Sequence, residues 1–296
     1  MPSGETPDAG PEESPAEATV LRMLLGAQLR RLREAAEISA EKAGYEIRAS
    51  RSKISRMETG RVGLKLRDIE DLLTLYGVTD EKQRAKVITL ASRSREPEWW
   101  TQYNDILPDW FETYLGLESA AVTIRNFETQ FVPGLFQTED YARAVTRLGH
   151  QTAPEPEVER RVRLRVARQD ILSRPRPPRV WAIMDEAVLR RPVGGAAVMH
   201  TQLLRLAETA QQPGVRLQAI PFARGGHAAA SGSFSILRFE ERDLPDVVYM
   251  EQLTSAIYLD QRADVEHYLE IVNQLSGEAL TPADTVRFIE QVIKET

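Results

Sequence analysis

The stretch ISAEKAGYEIRASRSKISRMETGR, residues 38–61, predicts the fold of the N-terminal part of the chain. Its pattern is that of two short helices joined by a tight turn, because Ser39 and Ser50 stand where each helix would begin and can cap its first turn. The small residues Ala43 and Gly44 allow the second helix to cross close to the first. Apolar residues recur so that both helices share one core: Ile38, Ala43, Ile47, Ile54 and Met57.

The outer face of the second helix, residues 51–58, carries hydrogen-bond donors. Such groups reach base edges in the major groove of DNA or the flanking phosphates. The pattern therefore predicts a recognition helix that binds double-stranded DNA. The side chains on this face are Arg51, Ser52, Lys53, Ser55 and Arg56.

The same stretch resembles the Xre/Cro-type helix-turn-helix regulators, without a gap from Ile38 through Arg61. The resemblance implies that Arg56 and Arg61 hold phosphates. It implies that the other polar side chains of the helix face the bases or the groove, namely Arg51, Ser52, Lys53 and Ser55. It also implies that Glu58 caps or pairs within the domain. The predicted DNA-binding set is Arg48, Ser50, Arg51, Ser52, Lys53, Ser55, Arg56 and Arg61.

Two positions depart from the pattern of that family. Ala40 stands where the family usually has a glutamine that anchors DNA, so this contact is not expected here. Arg48 stands at the turn position that is commonly glycine because it needs a positive φ. Arginine can adopt this conformation at some energetic cost, and its guanidinium is then a candidate for a phosphate contact.

Helical spacing around this stretch predicts a five-helix DNA-binding domain over residues 20–96. The first helix is amphipathic and begins at Val20, with Leu21, Leu25 and Leu29 on one face and arginines between them. The other helices are predicted at 39–46, 51–58, 66–76 and 80–93, with serine and glycine residues between them.

The net charge of −6 for 296 residues conceals an uneven distribution of charge along the chain. Residues 21–97 carry 17 lysines and arginines against 11 acids, whereas residues 98–296 carry 21 against 28. Residues 1–20 contain five acids and no base, and residues 1–19 are predicted to be a disordered acidic tail. The basic part coincides with the predicted DNA-binding domain, as electrostatic attraction to DNA requires.

Residues 97–296 are predicted to form a mixed α+β domain. Runs rich in β-branched and aromatic residues indicate strands within 121–132, 179–188, 215–222, 233–239, 247–253 and 255–259. Helical stretches alternate with them at 137–148, 155–172, 196–211, 262–275 and 282–294. The fold class of the whole chain is therefore predicted as α+β, with an all-helical domain followed by a larger mixed one.

The second domain begins with six of the chain's twenty aromatic residues inside positions 99–114. Trp99, Trp100 and Trp110 belong to this cluster, which is typical of core packing at a domain junction, with an aromatic ligand pocket as the alternative. The run Glu98–Val145, with DEAVLRRPVGG at 185–195, resembles the C-terminal domain of the actinomycete WhiJ-like or Scr1-type antitoxin-like regulators. The resemblance implies a small companion protein, encoded nearby, that binds this domain.

Three further features of the second domain are candidates for partner or ligand binding. Gln137 follows a Pro-Gly turn, for which plain turn chemistry is the favoured interpretation. Arg161, Arg165 and Arg168 share one helical face, which could dock an acidic partner, contact DNA or face solvent. His227 lies in a Gly/Ala/Ser-rich loop that lacks the ending of a phosphate-binding loop.

The chain is not expected to be an enzyme. It has no cysteine, and its four histidines lack metal-ligand spacing, so neither a metal site nor a cofactor is expected. No membrane span or signal-like segment is visible, which predicts a cytoplasmic protein. A homodimer on paired half-sites is expected, because one recognition helix buries too little surface for specific affinity. The alternative is a small-molecule sensor or enzyme-like second domain tethered to a DNA-binding head.

Overall fold

The chain divides into two compact units, Met1–Glu96 and Pro97–Thr296. Residues 1–17 of the predicted acidic tail lie outside the residues that the structure describes, so this part of the prediction is not tested. The expected end of the tail at residue 19 is wrong, because Ala18 and Thr19 are already buried in a helix. A computed structural model describes residues 18–95, 97–229, 232–241 and 244–296.

Five helices make up the described part of the first unit, close to the positions that the hydrophobic spacing predicts. Their apolar faces meet around Leu25, Leu29, Ile54, Leu72 and Val87, each at most 2% exposed. Burial of Ile54 leaves the opposite face of its helix on the outside. The helices are α1 (Ala18–Ala35), α2 (Ala40–Glu46), α3 (Arg51–Glu58), α4 (Leu66–Leu75) and α5 (Glu81–Arg93).

Two glycines allow the helices of this unit to approach closely. A Cβ atom on Gly26 of α1 would lie 2.5 Å from the carbonyl oxygen of Met57 and 2.6 Å from that of Glu58. A Cβ atom on Gly44 of α2 would lie 2.6 Å from the carbonyl oxygen of Ala49. The close contact at Gly44 is therefore with the turn that leads into α3, whereas the one at Gly26 joins α1 to the end of α3.

We expect Gly26→Ala to destabilise the first unit by about 2 kcal/mol, because the two carbonyls belong to backbone that cannot move aside easily. Amide hydrogen exchange in peptides from α1 and α3 should then become roughly 30-fold faster. Gly63→Ala is the matched control, since a Cβ atom there would meet nothing within 4 Å. Equal exchange rates in the two variants would contradict a close contact at Gly26.

The described part of the second unit combines helices with one six-stranded sheet, so the predicted α+β class is confirmed. The strands are β1 (Thr123–Glu128), β2 (Arg179–Asp185), β3 (Val215–Ile220), β4 (Phe234–Arg238), β5 (Val247–Glu251) and β6 (Ala256–Leu259). The helices are α6 (Asp109–Ala120), α7 (Glu139–Gly149), α8 (Glu155–Ala167), α9 (Glu186–Arg190), α10 (Ala196–Thr209), α11 (Arg262–Glu278) and α12 (Pro282–Glu295).

The sheet has the strand order β3-β2-β1-β4-β5-β6. Strands β1, β2 and β3 are parallel, and β4, β5 and β6 extend the sheet with antiparallel pairing. On one face, Phe127 and Ile236 share a core with Val272 and Leu275 of α11. On the other face, the ring of Tyr114 from α6 stacks on Tyr249 at 4.1 Å. Helices thus cover parts of both faces.

Some predicted elements end earlier than the sequence pattern suggests. The carboxylate of Asp185 accepts a hydrogen bond from the backbone N–H of Ala187 at 2.8 Å and thereby caps α9, so β2 stops where a longer strand was expected. The predicted helix 155–172 changes from α8 to a 3₁₀ turn at Arg168–Ser173. Within the described residues, no helix is both long and apolar enough to cross a bilayer.

Candidate nucleic-acid interface

Side-chain caps define the turn between α2 and α3. The Oγ of Ser39 accepts a hydrogen bond from the backbone N–H of Lys42 at 3.2 Å, and the Oγ of Ser50 accepts one from the N–H of Lys53 at 3.1 Å. Both caps were predicted from the sequence. Arg48 lies in the turn with φ of +53°, the left-handed conformation expected at this position.

Glu58 joins α3 to α1 through an ion pair with Arg33. Its carboxylate oxygens accept hydrogen bonds from Nε and Nη2 of Arg33 at 2.6 and 3.0 Å. The Nη1 of the same guanidinium donates to the carbonyl oxygen of Ile38, immediately before α2, at 2.9 Å. The hydrogen bond to Glu58 raises the pKa of Arg33. One partly buried guanidinium therefore joins α1, α3 and the start of α2, and the structural role expected for Glu58 is confirmed.

The outer face of α3 lies opposite the buried side chains of Ile54 and Met57. The side chain of Arg51, at the first turn of this helix, is 74% exposed. The structure thus brings the predicted DNA-binding residues together around one turn and one helix. Lys53 is partly exposed, and the exposed members of the set are Arg48, Ser50, Arg51, Ser52, Ser55, Arg56 and Arg61.

Weak ion pairs hold two cations of this face. The Nη1 of Arg51 lies 3.1 Å from a carboxylate oxygen of Glu41, and the Nζ of Lys53 lies 3.8 Å from one of Asp68. Pairs with this much solvent contact add little stability. They can therefore be exchanged for DNA phosphates or base edges at small cost. Ala40, where the family has a glutamine, packs against the core instead.

Tyr45 is an accessible residue of this region that the sequence pattern did not single out. It lies on α2, and its side chain is 86% exposed. Tyrosine hydroxyls are common donors to DNA phosphates. Its position as a large aromatic residue on the polar face of an amphipathic helix could have identified it from the sequence.

The second unit buries one of its predicted partner-binding arginines. Arg168 is 6% exposed and forms two hydrogen bonds of 2.8 Å with the buried carboxylate of Glu118. Burial alone lowers the pKa of Arg168, but the carboxylate of Glu118 outweighs it and raises this pKa overall. The guanidinium also packs over the rings of Phe111 and Tyr114. The prediction that Arg168 docks a partner does not fit this burial, because the ion pair of Arg168 with Glu118 lies in the interior.

The two neighbouring arginines of α8 have different surroundings. Arg161 donates to the carbonyl oxygen of Ile106 at 2.7 Å and pairs with Glu157 at 2.8 Å. Arg165 is partly exposed and has no ion-pair partner among the residues that the structure describes. Burial, together with the positive charge of Arg168, lowers the pKa of Arg165 to about 10. Of these three arginines, Arg165 fits a ligand contact best.

Gln137 is 4% exposed and lies inside a network of amides. Its side-chain Nε2 donates to the carbonyl oxygen of Val132 at 2.7 Å, and its backbone carbonyl oxygen accepts from the Nε2 of Gln169 at 2.7 Å. Gln202 completes the turn by bonding to the backbone of Phe136 and Thr138. The expected place of Gln137 on a partner surface does not fit this burial, because the side chain holds the Pro-Gly turn.

The predicted tryptophan cluster packs within the second unit. Trp100 is 3% exposed and contacts a small apolar core that includes Leu115. Trp99 stands edge-on to Trp100 at 5.5 Å and donates its Nε1 to Ser119 at 3.3 Å. Trp110 is partly buried and stands edge-on to a neighbouring phenylalanine. These contacts favour core packing over an aromatic ligand pocket.

His227 lies near the carboxyl end of β2. Its Nε2 is 3.9 Å from the carboxylate of Asp185, and its ring stands edge-on to Phe127 at 5.0 Å. The Nδ1 of His227 is buried without a hydrogen-bond partner. The side-chain hydrogen bond of Gln137 goes to Val132 and not to His227. Among the described residues, no group of three or more His, Cys, Asp or Glu side chains could hold a metal ion.

Two family models match the chain in the regions just described. The model of a helix-turn-helix domain matches residues 24–86, which include α2 and α3. The model of a domain of unknown function, DUF5753, matches residues 111–291, more than half of the chain. The chain belongs to the DUF5753 family. No curated protein and no solved structure matches it. The helix-turn-helix match indicates that this DUF5753 chain is a DNA-binding regulator.

Glu128 in the DUF5753 region has a shifted pKa that the sequence pattern did not reveal. Glu128 ends β1, and its burial raises the pKa of its carboxyl group from 4.5 to about 7. In the unfolded chain this group ionises near 4.5, so the folded state binds the proton more tightly. The bound proton therefore stabilises the folded state. This stabilisation is complete below the pKa of the unfolded chain and is lost as the pH rises through about 7.

We expect the DUF5753 region to lose about 2 kcal/mol of stability between pH 5 and pH 8 through ionisation of Glu128. Glu128→Gln should remove this part of the pH dependence and raise the midpoint of thermal unfolding at pH 8 by roughly 5 °C. Glu270→Gln, at an exposed position of α11, is the matched control. The same pH dependence in wild type and Glu128→Gln would show that Glu128 ionises normally.

Proposed function

We propose that this protein is a sequence-specific transcription regulator of the Xre type that acts as an antitoxin-like repressor. The observation that carries the proposal is the exposed donor face of α3, which capping and the Arg33–Glu58 pair hold in a fixed position. Arg51, Ser52, Lys53 and Ser55 face the major groove in this proposal.

Phosphate contacts complete the proposed interface. Arg48, Arg56 and Arg61 are placed around both ends of α3, where they can fix its orientation on the DNA backbone. The exposed hydroxyl of Tyr45 on α2 is a further phosphate donor. In helix-turn-helix proteins the first helix of the motif crosses the DNA backbone, and α2 takes this role in the proposal.

The protein binds DNA as a homodimer in this proposal. One recognition helix reads only a few base pairs, so two copies on half-sites about 10 base pairs apart supply the needed affinity and specificity. A small companion protein binds the second unit and changes DNA binding. Support for the companion comes from the WhiJ-like resemblance of residues 98–145. No catalytic role is proposed for either unit.

Footprinting on the DNA upstream of the protein's own gene tests the proposal. We expect protection of two half-sites, and in light scattering the protein without DNA should have twice the 33.4 kDa mass of one chain. Affinity should fall steeply as salt is raised. Protection of a single half-site by one chain would contradict the dimer. The absence of any retained DNA at low salt would favour an interaction scaffold that does not bind DNA.

A second experiment distinguishes a companion protein from the alternative, a small-molecule sensor. The full chain is unfolded thermally, alone or with the small protein encoded beside its gene, and tryptophan fluorescence is recorded. All four tryptophans lie in the second unit, so the signal reports this unit. A raised midpoint with the companion supports regulation by a protein. A midpoint that responds only to metabolites would contradict it.

A further inference from the structure

Four neighbouring strands place arginines on the same face of the sheet. Thr123 of β1 lies between Arg179 of β2 and Arg238 of β4 in the strand register. Two residues further along β1, Arg125 lies beside Trp181 of β2. Side chains of paired residues and of residues two apart point to one side of a sheet, so these groups share a face.

Arg216 of β3 extends the same face. It pairs in register with Trp181, and its guanidinium lies over the indole ring at 4.5 Å from the ring centre. The Nε1 of Trp181 donates to Gln218 at 2.9 Å, which fixes the ring. We call Arg125, Arg179, Arg216 and Trp181 the arginine face.

The arginine face lies toward the end of the sheet at which the parallel strands begin. The apolar core under α11 begins directly beside it, because Trp181 packs against this core and the fully buried Phe127 and Ile183 lie two residues further along their strands. Consistent with this, Arg179 and Arg216 are exposed, while Arg125 and Trp181 are partly buried. This part of the sheet is therefore reachable from solvent.

Among the described residues, the positive charge of the arginine face is offset only in part, by Asp246 near Arg125. The adjacent Arg238 forms an ion pair of 2.7 Å with Asp246, whereas the described residues give no ion pair to Arg125, Arg179 or Arg216. The Nη1 of Arg125 is buried without a hydrogen-bond partner. Burial and the charge of Arg238 lower the pKa of Arg125. A buried cationic donor without an acceptor is costly, and an anion would remove this cost.

We propose that the arginine face binds a small molecule through its phosphoryl group. Guanidinium groups match phosphate oxygens with paired hydrogen bonds, and the buried Nη1 of Arg125 would gain its missing acceptor. Strands lie about 4.8 Å apart, so the backbones at Arg125 and Arg216, which flank Trp181, are separated by roughly 10 Å, a spacing that suits a phosphoryl group with part of its carrier.

A small ligand fits the charge of this unit better than a DNA backbone. Residues 98–296 contain 28 acids against 21 lysines and arginines, so their overall field repels a long polyanion. A compact phosphorylated molecule experiences mainly the local arginines. The proposal goes beyond DNA binding by α3 and does not depend on it.

Titration calorimetry of the full chain with inorganic phosphate and with pyrophosphate tests the proposal. We expect saturable binding of at least one of the two probes, weakened tenfold or more by Arg125→Gln and several-fold by Arg179→Ala and Arg216→Ala. Arg262→Ala is the matched control, because it removes an exposed arginine of α11 that pairs with Glu266. Its affinity for the probe should equal that of the wild type.

Three outcomes would overturn the proposal. One is the absence of binding for both probes, and another is binding that Arg125→Gln and Arg179→Ala leave unchanged. The third is loss of DNA affinity in Arg179→Ala with unchanged phosphate binding, which would assign these arginines to the DNA backbone. Because Arg125 is partly buried, tryptophan fluorescence must first show that Arg125→Gln folds. If Arg125→Gln does not fold, Arg179→Ala at an exposed position decides the test.

Discussion

Replacing Arg51 with alanine is expected to weaken specific DNA binding by roughly ten- to a hundredfold. An arginine that reaches a base edge contributes about 1–3 kcal/mol, and Arg51 has the position and exposure for such a contact at the first turn of α3. Its ion pair with Glu41 is exposed, so the substitution should leave the stability of the unit nearly unchanged. Gel-shift titration against the native promoter measures the effect.

Related variants separate base contacts from charge. Arg51→Lys keeps the charge but loses the paired hydrogen bonds, so it should retain non-specific binding and lose discrimination between sequences. Lys53→Ala should also weaken binding and reduce its salt dependence. Lys86→Ala is the control, because it removes one charge from α5, which packs on α1 and α4. Unchanged affinity in both Arg51→Ala and Lys53→Ala would refute the proposed interface.

Replacing Arg168 with alanine is expected to destabilise the second unit by about 3–5 kcal/mol. The change leaves the carboxylate of Glu118 buried without its partner, and an unpaired buried charge is strongly destabilising. It also removes the group that packs over Phe111 and Tyr114. The midpoint of thermal unfolding should fall by roughly 10 °C, recorded by tryptophan fluorescence.

Two comparisons test whether burial of the pair causes this loss. Arg160→Ala removes an arginine of the same segment whose ion pair with Asp105 is exposed, and it should change the midpoint little. The double variant Arg168→Met with Glu118→Leu replaces the pair by apolar groups and should recover much of the stability. If Arg168→Ala behaved like Arg160→Ala, the buried pair would make no net contribution.

Local chemistry made the first unit predictable. Ser39, Ser50 and Arg48 act through backbone groups within three residues of themselves, so their roles are visible in the order of residues alone. Apolar spacing predicted the five helices because each packs one face on a common core. The pair between Arg33 and Glu58 spans 25 residues, and the resemblance to Xre/Cro-type regulators implied only that Glu58 is structural.

The second unit was predictable in its elements but not in its polar contacts. The strands carry β-branched and aromatic residues in short runs, which identified all six. The partners of Arg168 and Gln137 come from distant segments, and nothing in a helical or turn pattern indicates whether such a side chain points inward. For this reason both were assigned to a partner surface, although the structure buries them.

The order of residues was enough to predict the helix-turn-helix unit, the α+β class and the charge difference between a basic first domain and an acidic second domain. These properties depend on neighbouring residues or on sums over residues. Three-dimensional packing was needed to show that Arg168 neutralises Glu118 in the interior and that Arg125, Arg179 and Arg216 share one face of the sheet. The reason is strand pairing and burial, which bring together charges that lie far apart along the chain.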